Sequence, residues 1–166
     1  IFLGMDQAAD KLRSGNTGDN PFKKKEVRQA LYQAIDIEAI KKKVMRGLSE
    51  PAGIITFPGV NGYTKDLDKR LPYDVDAAKK LLADAGYPKG FDVELRCPND
   101  RYVNDEAICT AVVGMLGKIG VNVNLFAQTK SKHFKELKED KGDFYMLGWG
   151  VPTLDSHYVF HYLYES

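Results

Sequence analysis

Apolar residues recur at helical spacing in the first half of the chain. Asp36 and Asp74 are expected to cap the second and third of the helices that this spacing predicts. Gly47 and Gly86 are expected to end them, and residues 49–72, rich in Pro and Gly, predict irregular structure. The inward-facing positions are Val27, Ala30, Leu31, Ala34 and Ile35 in the first helix, Ile37, Ile40 and Val44 in the second, and Val75, Ala78, Leu81, Leu82 and Ala85 in the third.

The second half of the chain alternates between strand and helix patterns. Apolar and polar residues alternate around Val93 and again around Val123, which is typical of strands. The unbroken apolar run 144–147 is typical of a buried central strand. The order predicts βαβ units with mainly parallel pairing, and therefore a layered α/β sandwich. The predicted elements are strand 91–97, helix 104–119, strand 121–125, helix 131–140, strand 144–147 and a helix after Asp155.

Composition narrows the class of protein. The 166 residues are 43% hydrophobic and 28% charged, an ordinary globular mixture with enough chain for one domain and a core. Lys and Arg number 24 against 23 Asp and Glu, so a nucleic acid is not expected as partner, because phosphate binding needs a concentrated basic surface. No apolar stretch approaches the roughly 20 residues of a membrane span. The opening residues do not resemble a secretory signal, and their abrupt apolar start suggests a piece of a larger protein.

The two cysteines leave two interpretations open. Cys97 ends a predicted strand and Cys109 lies on a predicted helix. The simpler expectation is that both are small buried hydrophobic residues. A disulfide between them is the alternative, which spacing alone cannot establish.

Polar and aromatic side chains gather in the three loops that follow the predicted strands. In a parallel sheet, ligands bind beyond the carboxyl ends of the strands, so loops 98–104, 128–131 and 149–155 should form one binding edge. They offer a guanidinium for a carboxylate, an acid for an amine, and aromatic faces. Trp149, between two glycines, is left open between ligand contact and core packing. The candidate ligand-binding residues are Asn99, Arg101, Tyr102, Asn104, Trp149 and Asp155.

An enzyme is the first alternative. A small α/β enzyme would use the 98–105 loop, with Asp100, Arg101 and Asp105 as its reactive groups. No Ser or Cys has an obvious base beside it, and no glycine spacing matches a Walker or dinucleotide motif. We therefore expect no catalytic residue and no cofactor.

The sequence also does not predict a metal site or a nucleic-acid-binding surface. His157 and His161 have the i, i+4 spacing of metal ligands, but Tyr158 stands where a metalloprotease helix carries Glu. A nucleic-acid or regulatory sheet would expose aromatic residues on a strand face. The clearest strand is instead expected to expose Asp92, Glu94 and Arg96 to solvent.

Several ordered motifs resemble one family along nearly the whole chain. Asn20-Pro21-Phe22 is followed by Val27-Arg28-Gln29-Ala30-Leu31 and then by Ala34-Ile35-Asp36. This opening resembles the signature of the extracellular solute-binding proteins, family 5. The resemblance continues through 47–48, 51–52, 73–74, 77–88, 90–91, 98–105, 116, 118–121 and 148–150.

The resemblance implies a type II periplasmic-binding fold, in which two lobes close on a solute and deliver it to an ABC permease. The family includes oligopeptide, dipeptide, nickel, and glutathione or haem binding proteins. This chain would correspond to most of the carboxyl-terminal lobe, with residues 1–20 as a hinge-proximal strand and polar loop and residues 21–166 as a single α/β lobe. The resemblance also implies a monomer in the periplasm or another extracytoplasmic space, with a peptide or other small polar solute as ligand.

One departure from the family pattern bears on the solute. Peptide binders of this family often carry an Asp shortly after the Trp, which pairs with the amino group of the peptide. Pro152 takes that position here by spacing, and Asp155 matches a later acidic position. Recognition of a free amino group by this lobe is therefore open, whereas Arg101 is the expected contact for a carboxylate.

Overall fold

The computed structural model describes residues 1–165 as a mixed sheet with helices on both of its faces. The predicted order of strands and helices is confirmed, with shifts of a few residues at the ends. The elements are β1 (Phe2–Met5), a 3-10 turn (Pro21–Lys23), α1 (Lys25–Ala34), α2 (Ile37–Ala39) continued by a π-helical turn (Ile40–Val44), α3 (Val75–Asp84), β2 (Asp92–Pro98), α4 (Asp105–Gly117), β3 (Asn122–Gln128), α5 (Lys130–Lys138), β4 (Phe144–Leu147) and α6 (Ser156–Leu163).

The four strands lie in the order β1-β4-β2-β3. β2 runs parallel to β3 along its whole length and parallel to β4 over Leu95 and Arg96. β1 pairs with β4 in the antiparallel direction, from Phe2 opposite Leu147 to Met5 opposite Phe144. The predicted parallel pairing is therefore confirmed for the three strands that precede the binding loops, so their carboxyl ends share one edge.

Alternation along β2 separates the two faces of the sheet. Val93, Leu95 and Cys97 are buried in the main core, which also contains residues of α1, α3 and α4. Glu94 and Arg96 point to the other face, where Arg96 pairs with Glu136 of α5. Helices thus cover both faces, which confirms the layered α/β sandwich.

The predicted helix caps are confirmed. The side chain of Asp36 accepts a hydrogen bond from the Ala39 amide, and that of Asp74 from the Ala77 amide. Gly86 follows α3 with φ +95°, a conformation that favours glycine. The second helix ends at Val44, three residues before Gly47, which has φ +82°. Its last five residues are π-helical, which the apolar spacing did not indicate.

The first twenty residues join the rest of the lobe. β1 lies in the common sheet, and Leu12 is buried in the main core. The boundary at residue 20 stays a prediction. Within residues 1–165, the structure contains no helix of the length and apolarity needed to cross a bilayer.

The expectation that Cys97 and Cys109 are separate small hydrophobic residues is wrong. They form a disulfide with a Cα–Cα distance of 6.6 Å. The bond ties the carboxyl end of β2 to α4, and both residues are fully buried. Packing of α4 on β2 brings the two sulfurs together, a relation that the sequence spacing does not reveal.

Candidate functional site

Two hydrogen bonds bring the predicted binding loops together. The Asn99 amide donates to the Gln128 carbonyl at 2.9 Å, which joins the loops after β2 and β3. The Gly148 amide donates to the Tyr102 hydroxyl at 2.7 Å, which joins the loops after β2 and β4. We call loops 98–104, 128–131 and 149–155 the rim. Its convergence at one edge of the sheet is confirmed.

The Asp105 carboxylate holds the backbone of the first rim loop through hydrogen bonds. Its side chain is buried, and its Oδ2 accepts hydrogen bonds from the amides of Arg101 and Tyr102, both at 2.9 Å. Its Oδ1 accepts from the Glu106 amide at 3.0 Å. Asp105, one of the two acids named for the alternative enzyme, thus holds the backbone at the start of α4, where the positive end of the helix also favours a carboxylate.

Arg101 is exposed at the rim. Its guanidinium carbon lies 5.0 Å from the centroid of the Tyr102 ring, which orients the side chain by a cation–π contact. Among the residues that the structure describes, no carboxylate lies within ion-pair distance of Arg101. The guanidinium can therefore pair with an external carboxylate or other anion.

The two rim asparagines, Asn99 and Asn104, differ in the hydrogen bonds that they form within the chain. Asn99 is exposed, and its backbone rather than its side chain takes part in joining the loops. Asn104 has φ 55° and precedes α4. Its side-chain amide donates to the Val44 carbonyl at 3.0 Å, so it ties α4 to the end of the π-helical turn.

Trp149 stands at the rim within a small aromatic group. Its ring centroid lies 6.0 Å from those of Tyr158 and Tyr162, both on α6. It also packs on a second apolar cluster that contains Val60 and Val159. The indole Nε1 is buried and has no hydrogen-bond partner within residues 1–165. Trp149 is therefore partly a packing residue, and its polar edge has an unused donor.

Asp155 is occupied by its own chain. One carboxylate oxygen accepts from the His157 amide at 2.8 Å, which caps α6, and the other from the Asn61 side chain at 2.9 Å. The hydrogen bond from Asn61, followed by that from the His157 amide, holds the pKa of Asp155 below its ordinary value. Pro152 is exposed and offers no charge. An amino group of a solute would have to share Asp155 with these donors.

Within residues 1–165, the histidine pair on α6 belongs to no larger group of potential metal ligands. The rings of His157 and His161 lie 5.8 Å apart, and His161 Nδ1 lies 2.7 Å from Glu165. Over residues 1–165, no group of three or more His, Cys, Asp and Glu side chains is arranged to hold a metal ion.

Sequence reasoning missed a polar layer beneath α5. His133 is fully buried, with Nε2 2.9 Å from the Met146 carbonyl and Nδ1 without a partner within the described chain. Burial lowers the pKa of His133. Next to it, Glu136 accepts from Gln128 at 2.7 Å and pairs with Arg96. The expectation that Arg96 faces solvent is wrong, because α5 covers that side of β2; the opposite charges of Arg96 and Glu136 were the available signal.

The sheet, its crossover helices and the shared rim define one lobe of a type II periplasmic-binding fold. The structure of AgaA from A. tumefacien R10 in complex with agropinic acid is similar, with a TM-score of 0.78 and 32% identity over 87% of this chain and 30% of that one. The dipeptide binding protein from Pseudoalteromonas sp. SM9913 in complex with Met-Leu gives 0.72 and 32%, covering 85% and 29%.

The chain belongs to the bacterial extracellular solute-binding proteins, family 5, whose middle-region model matches residues 5–166. It is 32% identical to heme-binding protein A of Haemophilus influenzae over 81% of its own length. It is 31% identical to the dipeptide-binding protein of Escherichia coli over 82%. The chain spans 25% and 26% of the length of these two relatives.

Proposed function

We propose that this chain is one lobe of a two-lobed protein that captures a peptide or similar small polar solute and delivers it to an ABC permease. The observation that carries the proposal is the convergence of three strand-end loops at one edge, where the Arg101 guanidinium has no ion pair within residues 1–165. This is where parallel sheets bind ligands. Residues 1–20 would lie near the hinge, and residues 21–166 would form the solute-binding lobe.

Capture by closure follows from the shared site. A solute that contacts both lobes only when they are closed shifts the population toward the closed form. The closed form would be the one that the permease recognises. Half of the contacts are missing in a single lobe, so this chain alone should hold the solute weakly.

The rim chemistry supports a solute with a carboxylate. Arg101 can form a bidentate pair with a carboxylate, and Trp149 and Tyr102 offer aromatic surfaces. Asn99 and Asn104 would add polar contacts, the latter while also tied to Val44. Asp155 is the acid available for an amino group, shared with Asn61 and His157.

A binding role is favoured over an enzymatic one. The family consists of solute-binding proteins, and Asp105, one of the two acids of the alternative enzyme, is buried and holds three backbone amides. We propose that the protein acts as a monomer, without catalytic residues or cofactors.

An extracytoplasmic location is part of the proposal. The family is extracellular by description, and the Cys97–Cys109 disulfide is of a kind that persists in oxidising compartments.

A mass-spectrometric survey tests the proposal. The longer polypeptide that carries this chain would be purified without denaturation, and small molecules released by heating would be identified against a mock purification. We expect enrichment of peptides or similar polar solutes bearing a carboxylate. Enrichment of a cofactor or of a substrate and product pair instead would overturn the binding role.

A further inference from the structure

The Cys97–Cys109 disulfide brackets the first rim loop. The two cysteines are 12 residues apart in sequence. Four of the six candidate ligand-binding residues lie between them: Asn99, Arg101, Tyr102 and Asn104. The covalent bond therefore closes a small ring of chain around most of the candidate site.

Both ends of this ring are fixed in the core. Cys97 pairs with Ala127 in the β2–β3 ladder, and Cys109 lies on the buried side of α4. The Cys97 sulfur is 3.5 Å from the carbonyl oxygen of Asp105. The disulfide is thus in contact with the residue whose carboxylate holds the Arg101 and Tyr102 amides.

The same arrangement reaches the third rim loop. The amide of Tyr102 donates a hydrogen bond to the Asp105 carboxylate. The hydroxyl of Tyr102 in turn accepts a hydrogen bond from the Gly148 amide. Trp149 is the next residue along the chain. The disulfide, its 3.5 Å contact with the Asp105 carbonyl oxygen and three hydrogen bonds therefore connect the bonded cysteines to both Arg101 and the Trp149 loop.

We propose that the Cys97–Cys109 bond, acting through Asp105, is a positioning element that holds Arg101 and Tyr102 in their binding geometry before the solute arrives. The effect of the disulfide on solute affinity rests on the proposed function. Ordering a loop during binding costs free energy, and a loop ordered in advance spares that cost. Freeing the ring should raise the number of conformations open to residues 98–104.

Hydrogen exchange separates positioning from a general effect on stability. The double variant Cys97→Ala/Cys109→Ala removes the bond, and Leu82→Ala in the buried face of α3 is the matched control, since it weakens the core away from the rim. In the solute-free protein, we expect the Arg101 and Tyr102 amides to exchange at least about tenfold faster in the double variant, relative to β2–β3 amides. The Gly148 amide should also exchange faster in the double variant. In Leu82→Ala, this ratio should stay as in the unsubstituted protein.

Solute affinity is the second readout. Calorimetric titration of the longer polypeptide with an equimolar library of di- and tripeptides should show about tenfold weaker binding by the double variant, and little change for Leu82→Ala at temperatures where both are folded. Unchanged relative exchange at Arg101 and Tyr102 in the double variant, or an equal change in Leu82→Ala, would overturn the positioning role. Failure of the unsubstituted protein to bind any peptide would count against the proposed function, whereas the exchange result would still decide the role of the disulfide.

Discussion

The hydroxyl of Tyr102 accepts a hydrogen bond from the amide of Gly148 at 2.7 Å, and this contact joins loops that are 46 residues apart in sequence. Arg101 directly precedes the tyrosine, and Trp149 directly follows the glycine. The candidate cation and the candidate aromatic surface therefore belong to one rim, as a shared solute site requires.

Loss of this hydroxyl should destabilise the lobe. Tyr102→Phe leaves the partly buried Gly148 amide without its acceptor, so the free energy of unfolding should fall by about 1–2 kcal/mol. Urea denaturation followed by circular dichroism measures the change. Tyr73→Phe, on an exposed side chain, is the matched control and should stay within about 0.5 kcal/mol of the unsubstituted chain. Equal effects of the two substitutions would show that the Gly148 contact carries no particular stability.

Acid should destabilise the fold through His133. Burial lowers the pKa of this histidine in the folded state below its ordinary value of 6.5. Between the two pKa values the unfolded chain binds a proton that the folded chain does not, so this contribution to stability is complete above pH 6.5 and is lost as the pH falls below it. The loss is at most about 1.4 kcal/mol per pH unit.

The surroundings of His133 set the size of this effect. The Arg96 charge adds to the lowering of the His133 pKa, whereas Glu136 and Asp105 oppose it. Denaturation curves between pH 5 and 7.5 should show a shallower pH dependence for His133→Gln than for the unsubstituted chain. His157 is exposed, so His157→Gln is the control. This variant should keep the part of the pH dependence of stability that the buried His133 ring contributes. Identical slopes for His133→Gln and the unsubstituted chain would contradict the prediction.

The chain alone should bind solute weakly. Its rim supplies only one side of the proposed site, and the enclosure by a second lobe is missing. Calorimetric titration of the 166-residue chain with a peptide library should give little or no measurable heat of binding. Micromolar affinity in this experiment would show that one lobe suffices.

Arg101 should contribute to affinity without contributing to stability. It is exposed, and its contact within the chain is with the Tyr102 ring. In the longer polypeptide, Arg101→Ala should weaken binding of a solute with a carboxylate by about 10- to 100-fold, because charged hydrogen bonds contribute about 1.5–3 kcal/mol. Lys89→Ala removes the same charge before the amino end of β2, at the opposite edge, and is the matched control. Similar losses for both variants would point to general electrostatics instead of a contact at the rim.

Much of the fold could be predicted because its determinants are local. The alternation around Val93 and the apolar run 144–147 indicated strands, and Asp36 and Asp74 marked helix starts that their side chains do cap. The order of the elements then required parallel pairing, which put the three loops at one edge.

What the sequence could not predict depends on contacts between distant residues. Asn104 is tied to Val44, 60 residues away, and Asp155 to Asn61, 94 residues away. Both were therefore named as ligand contacts without any sign that their side chains already had partners. The disulfide has the same origin, because only the packing of α4 on β2 brings its two sulfurs together.

The most direct test of a shared solute rim is a footprint of bound solute on the longer polypeptide. Amide hydrogen exchange would be compared with and without the solute found by mass spectrometry, under conditions that saturate the site. We expect protection concentrated in 98–104, 128–131 and 149–155, with the amino ends of β2 and β3 unchanged. Protection at those amino ends, with the three loops exchanging as in the free protein, would contradict a binding site at this edge.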